Sequence, residues 1–185
     1  MPFDFLTDVP DAVRERAARV RLVAFDVDGT LTDGKVVFAG KREVQSFCVL
    51  DGQAITWLVD MGFVVAWISG RGCPATEKRA RGLGVTELHL RVGSKEDVLA
   101  RIQDRTGIGV DQTVAMGDDL PDLGLAQRAT VFACPAGARA EVKARAHLVT
   151  NAAAGSGAVR ELVETTLRAK GLWQALLERY SPTSG

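Results

Sequence analysis

Cysteine is scarce in this 185-residue chain: Cys48, Cys73 and Cys134 are the whole complement, and no two form a CxxC pair. An odd, scattered set excludes a disulfide scaffold or a zinc ribbon and reads as reduced, mostly buried thiols of a cytosolic protein. Histidine is scarcer still. His89 and His147 have no repeated spacing that could build a histidine metal site, so both read as structural or solvent-facing. There is no excess of charge either: 23 basic side chains meet 23 acidic ones, which removes bulk attraction to nucleic acid or to an anionic membrane. No apolar run approaches the ~20 residues that span a bilayer. Met1-Pro2-Phe3-Asp4 has no basic region leading into an apolar core, so no secretory signal is expected. What is left is a cytoplasmic globular protein, long enough for one substantial core and short for two, read as a single domain over 1–185.

The apolar residues are gathered into short runs that close on polar ones. Arg21–Asp26 (RLVAFD), Phe63–Ser69 (FVVAWIS), Glu87–Leu90, Thr113–Gly117 (TVAMG) and Thr130–Ala133 read as buried strands. Helical patterns lie between and after them at Ala54–Met61, Pro74–Leu83, Lys95–Thr106, Leu120–Arg128 and Gly137–Ala146. This alternation predicts an α/β fold with a doubly wound, mostly parallel sheet. Such sheets carry their ligand loops at the carboxyl ends of the strands. Lys35–Val49 breaks the pattern: two β-rich runs surround Ala39-Gly40-Lys41, as expected for a hairpin inserted after the first strand. Its apolar side chains need a cover, which another subunit could supply. Two helices, Ala158–Lys170 and Leu172–Tyr180, and a frayed tail, Ser181–Gly185, are expected to close the chain.

The strand ends supply a set of chemical groups. Asp26-Val27-Asp28-Gly29 places two carboxylates just past the first strand, with a glycine for a tight turn. One carboxylate can attack phosphorus and the other can serve as acid and then base. A hard cation such as Mg²⁺ would offset their repulsion and hold phosphate oxygens. Ser69-Gly70 ends the second run shortly before a helix, where a hydroxyl and backbone N–H groups make either a phosphate seat or an ordinary helix cap. Lys95 begins a helix, a position the helix dipole disfavours, and could balance the charge of nucleophile and phosphate. Gly117-Asp118-Asp119-Leu120-Pro121-Asp122 puts three acids after a buried strand. Asp118 is the favoured metal ligand, Asp119 either an outer, water-mediated contributor or a helix cap, and Asp122 the residue that orients Lys95.

Their order, DxD, Ser, Lys, GDDxxD, resembles the four motifs of the haloacid dehalogenase superfamily of phosphatases. That resemblance implies a Rossmann-like fold, Asp26 as nucleophile, Asp28 as acid/base, Ser69, Gly70 and Lys95 as phosphate contacts, and Asp26, Asp118 and the Asp28 carbonyl as magnesium ligands. Asp26–Gly34 (DVDGTLTDG), Val49–Ile55 (VLDGQAI), Ile68–Arg71 (ISGR) and Gly155–Glu161 (GSGAVRE) narrow it. They resemble the capless family of 3-deoxy-D-manno-octulosonate 8-phosphate phosphatases, which act in making the inner sugar of lipopolysaccharide. The narrower resemblance implies a sugar-acid phosphate as substrate. It also implies Arg71 and Arg79 as active-site arginines, guanidinium being suited to a sugar carboxylate. A homotetramer is implied too, in which the inserted hairpins pack together and neighbouring subunits cover an otherwise open site. Leu50 and Ala54 stand where the family usually has arginine and glycine (VRDGYGI), the stretch before Lys95 lacks its common QG pair, and Ala154 replaces a glycine. These departures leave open a related nine-carbon sugar phosphate or a broad range of phosphomonoesters. An idle assembly subunit would have no need of the intact motifs.

Overall fold

Both faces of the main sheet are covered, which is why its central strands are near-continuous apolar runs. In the computed structural model, which describes residues 4–181, six strands lie in the order β5-β4-β1-β6-β7-β8, and all five pairings are parallel. They are β1 (Leu22–Phe25), β4 (Val64–Ile68), β5 (Glu87–His89), β6 (Thr113–Met116), β7 (Val131–Cys134) and β8 (Leu148–Val149). The register sets Phe25 beside Trp67 on one side and Met116 on the other. Side chains alternate across the sheet. Val23, Phe25, Val65, Trp67, Val114 and Met116 pack against α3 (Val49–Asp60) and α8 (Ala158–Ala169). Leu22, Ala24, Ala66, Ile68 and Phe132 pack against α5 (Lys95–Thr106) and α6 (Leu123–Ala126). Each fully buried Leu, Ile or Phe in these layers contributes about 1.5–3 kcal/mol over its exposed state.

The remaining helices are α1 (Phe5–Asp8), α2 (Asp11–Ala17), α4 (Pro74–Gly82), α7 (Ala140–Lys143) and α9 (Trp173–Tyr180). The first two, and the two-residue β8, were not expected from the sequence. The expected tail lies outside the described residues beyond Ser181, as does Met1–Phe3. Helix α7 is shorter than the expected Gly137–Ala146. The expected helix Leu120–Arg128 is divided, a 3₁₀ turn at Leu120–Asp122 passing directly into α6. Among the described residues, no helix is long and apolar enough to cross a membrane.

The hairpin is smaller than expected. Its strands are β2 (Val37–Ala39) and β3 (Arg42–Val44), with Gly40 in the left-handed region at φ 63°. Val49 belongs to α3, which starts five residues earlier than the sequence indicated. Phe47 needs no neighbouring subunit either: it stacks on Trp67 at 6.0 Å between ring centroids and packs on the chain's own core. The side chains left uncovered are Val36, Val37, Phe38 and Val44, continued by Val49 and Leu50 at the start of α3.

Candidate active site

The carboxyl ends of β1, β4 and β6 lie side by side at the centre of the sheet, and the polar residues that follow them converge on one cleft of about 180 Å³. Asp26, Asp28, Ser69, Gly70, Arg71, Lys95, Asp118, Asp119 and Asp122 line it. Gly29, at φ 91°, turns the chain immediately after Asp28; a Cβ there would collide with the Asp118 carboxylate.

Lys95 is the first residue of α5, whose N-cap, Ser94, accepts from the Asp97 N–H at 3.2 Å. Its side chain is almost wholly buried and reaches Asp26 Oδ1 at 2.5 Å and Asp122 Oδ1. Asp122 is then fully occupied, because its other oxygen accepts from the N–H groups of Asp118 (2.9 Å) and Asp119 (3.1 Å). Asp119 caps the 3₁₀ turn, accepting from Leu120 N at 2.8 Å. Thr30 donates to Asp118 Oδ1 at 3.3 Å.

Asp28 is held from three sides. The Ser69 hydroxyl donates to Oδ2 at 3.2 Å, Gln45 Nε2 donates to Oδ1 at 3.0 Å, and Arg71 Nε lies 3.7 Å from Oδ1. Arg71 also pairs with Glu43 at 2.8 Å. Glu43, Gln45, Thr30 and Thr76, which donates to Gln45 Oε1 at 2.5 Å, were not identified from the sequence. The usable signal was the two-residue interval between Glu43 and Gln45, which sends both side chains towards the same side of the hairpin's return arm.

Arg79 is not brought to the cleft. It turns inward over Gly52 and borders a small internal void with Phe47, Cys48, Asp51 and Trp67, where its buried Nε has no partner among the described residues. The two histidines are structural: His89 contacts Glu87 at 3.0 Å, and His147 Nδ1 accepts from Phe132 N at 3.1 Å. Cys48, Cys73 and Cys134 are free thiols.

The site carries more negative charge than its own cation offsets. Burial, reinforced by the Asp122 charge, pushes the Asp26 carboxyl up to about 8 against the pull of Lys95. Burial and Asp122 push Asp118 up to about 6. For Lys95, burial favours the neutral amine, but Asp26 and Asp122 outweigh it and raise its pKa. Carboxylate oxygens of Asp26, Asp118 and Asp122 lie within 4.8 Å of one another. With Asp122 occupied by Lys95 and two N–H groups, Asp26 and Asp118 are the pair with oxygens to spare. This crowded, all-oxygen donor set fits a small hard cation.

Comparison with known proteins shows which family the chain resembles. Residues 82–162 match the family model of haloacid dehalogenase-like hydrolases. A 3-deoxy-D-manno-octulosonate 8-phosphate phosphatase of Yersinia pestis is 34% identical over 167 residues, covering 88% of this chain and 87% of its own length. Among solved structures, a hypothetical protein from Xanthomonas campestris superposes with a TM-score of 0.92 at 38% identity, covering 98% of this chain and 100% of that one. The 3-deoxy-D-manno-octulosonate 8-phosphate phosphatase of Moraxella catarrhalis, in complex with a magnesium ion, a phosphate ion and a KDO molecule, gives a TM-score of 0.89 at 29% identity. That match covers 91% of this chain and 98% of the Moraxella chain.

Proposed function

The chain belongs to the haloacid dehalogenase-like hydrolases, among their 3-deoxy-D-manno-octulosonate 8-phosphate phosphatases, and from that premise we propose that it hydrolyses this sugar-acid phosphate to the free sugar acid and phosphate. The observation that carries the reading is the paired acids at the end of β1. Asp26 lies 2.5 Å from Lys95, and Asp28 lies 3.2 Å from Ser69.

The first acid is placed to attack and the second to move a proton. A carboxylate oxygen of Asp26 forms a bond to phosphorus while the bond from phosphorus to the sugar oxygen breaks. Asp28 passes its proton to that oxygen, and the sugar departs as the alcohol. Asp28, now a carboxylate, takes a proton from water as the water oxygen bonds to phosphorus. The bond between phosphorus and Asp26 then breaks, releasing phosphate and restoring both acids. Lys95, Ser69 and the backbone at Gly70 hold the phosphoryl oxygens, and Lys95 keeps Asp26 aimed. Asp26, Asp118 and the Asp28 carbonyl are the groups that would hold magnesium, which when bound offsets the charge of phosphate and carboxylates together. Arg71, exposed on the rim of the cleft, is assigned to the sugar carboxylate.

The uncovered side chains of the hairpin and the start of α3 support assembly into a homotetramer whose subunits shield one another's open clefts. The three free thiols fit the reducing cytoplasm.

Phosphate release from sugar-acid phosphates and common phosphomonoesters, with and without Mg²⁺, tests the reading. A marked preference for 3-deoxy-D-manno-octulosonate 8-phosphate is expected. Equal turnover of unrelated sugar phosphates would overturn the substrate, leaving a broad-specificity or nine-carbon sugar phosphatase. No release from any of them would overturn the enzyme and favour the idle-subunit reading.

A further inference from the structure

Asp28 must aim its carboxyl at the leaving oxygen, and besides Ser69 and Arg71 it is held from outside the catalytic motifs, by the hairpin's return arm. Gln45 Nε2 donates to Asp28 Oδ1 at 3.0 Å, and the Thr76 hydroxyl, in the first turn of α4, donates to Gln45 Oε1 at 2.5 Å. Thr76 is buried and Gln45 only partly exposed, so this is a held contact between two elements rather than a surface encounter. The amide turns its NH₂ towards Asp28 and its oxygen towards Thr76, so both of its ends are engaged. We propose that Gln45, fixed by Thr76, is the positioning residue of the acid/base: it holds the Asp28 carboxyl by Oδ1 and so keeps Oδ2 turned to the Ser69 side of the cleft.

The chemistry follows from the donor pattern. Held by Oδ1, the carboxyl cannot rotate freely, and Oδ2, which accepts from Ser69, stays at the border of the phosphate seat. When Ser69 turns its hydroxyl to phosphate, Oδ2 is free to serve the leaving oxygen. Gln45 is not among the residues that line the cleft. Its effect should be confined to the proton transfer and should scale with how much the leaving group needs one.

The proposal rests on the phosphatase reading, and the test separates the two. The value of kcat/KM is measured with 3-deoxy-D-manno-octulosonate 8-phosphate, whose alcohol must be protonated as it leaves, and with 4-nitrophenyl phosphate, whose phenolate leaves unaided. This ratio reports the step that forms the aspartyl phosphate and is blind to its later hydrolysis. Gln45→Leu should lower kcat/KM for the sugar phosphate about tenfold to a hundredfold and change that for the nitrophenyl ester by less than about threefold. Thr76→Val should show a weaker form of the same split, and Thr76→Ser, which keeps the hydroxyl, should restore wild-type behaviour. The threonine pair carries the comparison if Gln45→Leu does not fold. Equal losses with both substrates, or no loss with either, would overturn the assignment. Absence of turnover in the wild type would instead remove the phosphatase reading. If the wild type prefers another alkyl phosphate, the same comparison is made with that ester.

Discussion

Replacing Asp26 by asparagine removes the attacking oxygen and also one of three crowded carboxylates, so chemistry and stability should move in opposite directions. The Asp26 carboxyl is raised from 3.8 to about 8, first by burial and then by Asp122. A group with a raised folded pKa contributes stability fully below its unfolded value and loses it as pH rises through the folded one. At about pH 7 the unfolded carboxyl is ionised while the folded one still largely holds its proton, so roughly three units of that window are lost, an upper bound of about 4 kcal/mol at ~1.4 kcal/mol per unit. Asparagine mimics the neutral acid, except that half of its polar end is a donor that cannot face the Lys95 ammonium, a loss of about 1–2 kcal/mol. Lys95 keeps Asp122 as its partner. The net expectation in chelator is a gain of about 2 kcal/mol near pH 7, or roughly 4–8 °C in Tm for a domain of this size. The gain should shrink towards pH 4. Thermal unfolding in chelator at several pH values measures it, and phosphate release from the same preparation should fall below detection. A variant 3–5 kcal/mol less stable than wild type at neutral pH would show that pairing with Lys95 dominates and would refute the crowding argument. Retained turnover would refute Asp26 as nucleophile.

Other consequences can be measured separately. Arg91 is the one non-glycine among the described residues with positive φ, at 56°, so Arg91→Gly should raise stability by about 1 kcal/mol in thermal unfolding. A loss would mean that the arginine's packing over Gly72 outweighs its backbone strain. Asp51 is buried and accepts from the N–H groups of Gly157 (3.2 Å) and Arg160 (2.8 Å), fastening α3 to the start of α8. Asp51→Ala should cost about 2–4 kcal/mol in urea unfolding and Asp51→Asn less than half of that; equal costs would show that the acceptor is not what matters. Phe38→Glu with Val44→Glu should give smaller species in sedimentation with impaired sugar-phosphate turnover. A wild type fully active as a monomer at nanomolar concentration would overturn the tetramer.

The central strands could be read from the sequence because burial on both faces leaves RLVAFD and TVAMG no polar interruption. The acids that close them could be read because charge after a buried run is costly without a purpose. The start of α3 was misread for a physical reason. Val49 and Leu50 are apolar and adjoin a β-rich stretch, and Gly52 looks like a break within any helix. In the fold, Gly52 sits in the first turn of α3, where Arg79 lies in the place its Cβ would take. That contact, made by a residue 27 positions away, also explains Arg79. A surface arginine on α4 and an inward one have the same local sequence, and only the missing side chain on α3 decides between them. Gln45 and Thr76 are ordinary polar residues 31 positions apart whose relation exists only after the hairpin folds back.

The hairpin gives one short ribbon two duties. Across the ribbon Val37 pairs with Val44 and Phe38 with Glu43, so the two valines share one face while Glu43 lies on the other. Glu43 is tied to Arg71, and Gln45, just past the strand, is tied to Asp28. The valine face has no cover among the described residues. A ribbon of two three-residue strands is marginal by itself, so its position depends on what holds each side. The Arg71 and Asp28 contacts anchor one side in this subunit's cleft. Packing of a second copy on the valines would hold the other and restrict Glu43 and Gln45 further. Assembly then bears on catalysis through the acid/base as well as through shielding from water. On this account, loss of assembly should weaken turnover of a sugar phosphate more than turnover of an ester whose leaving group needs no proton.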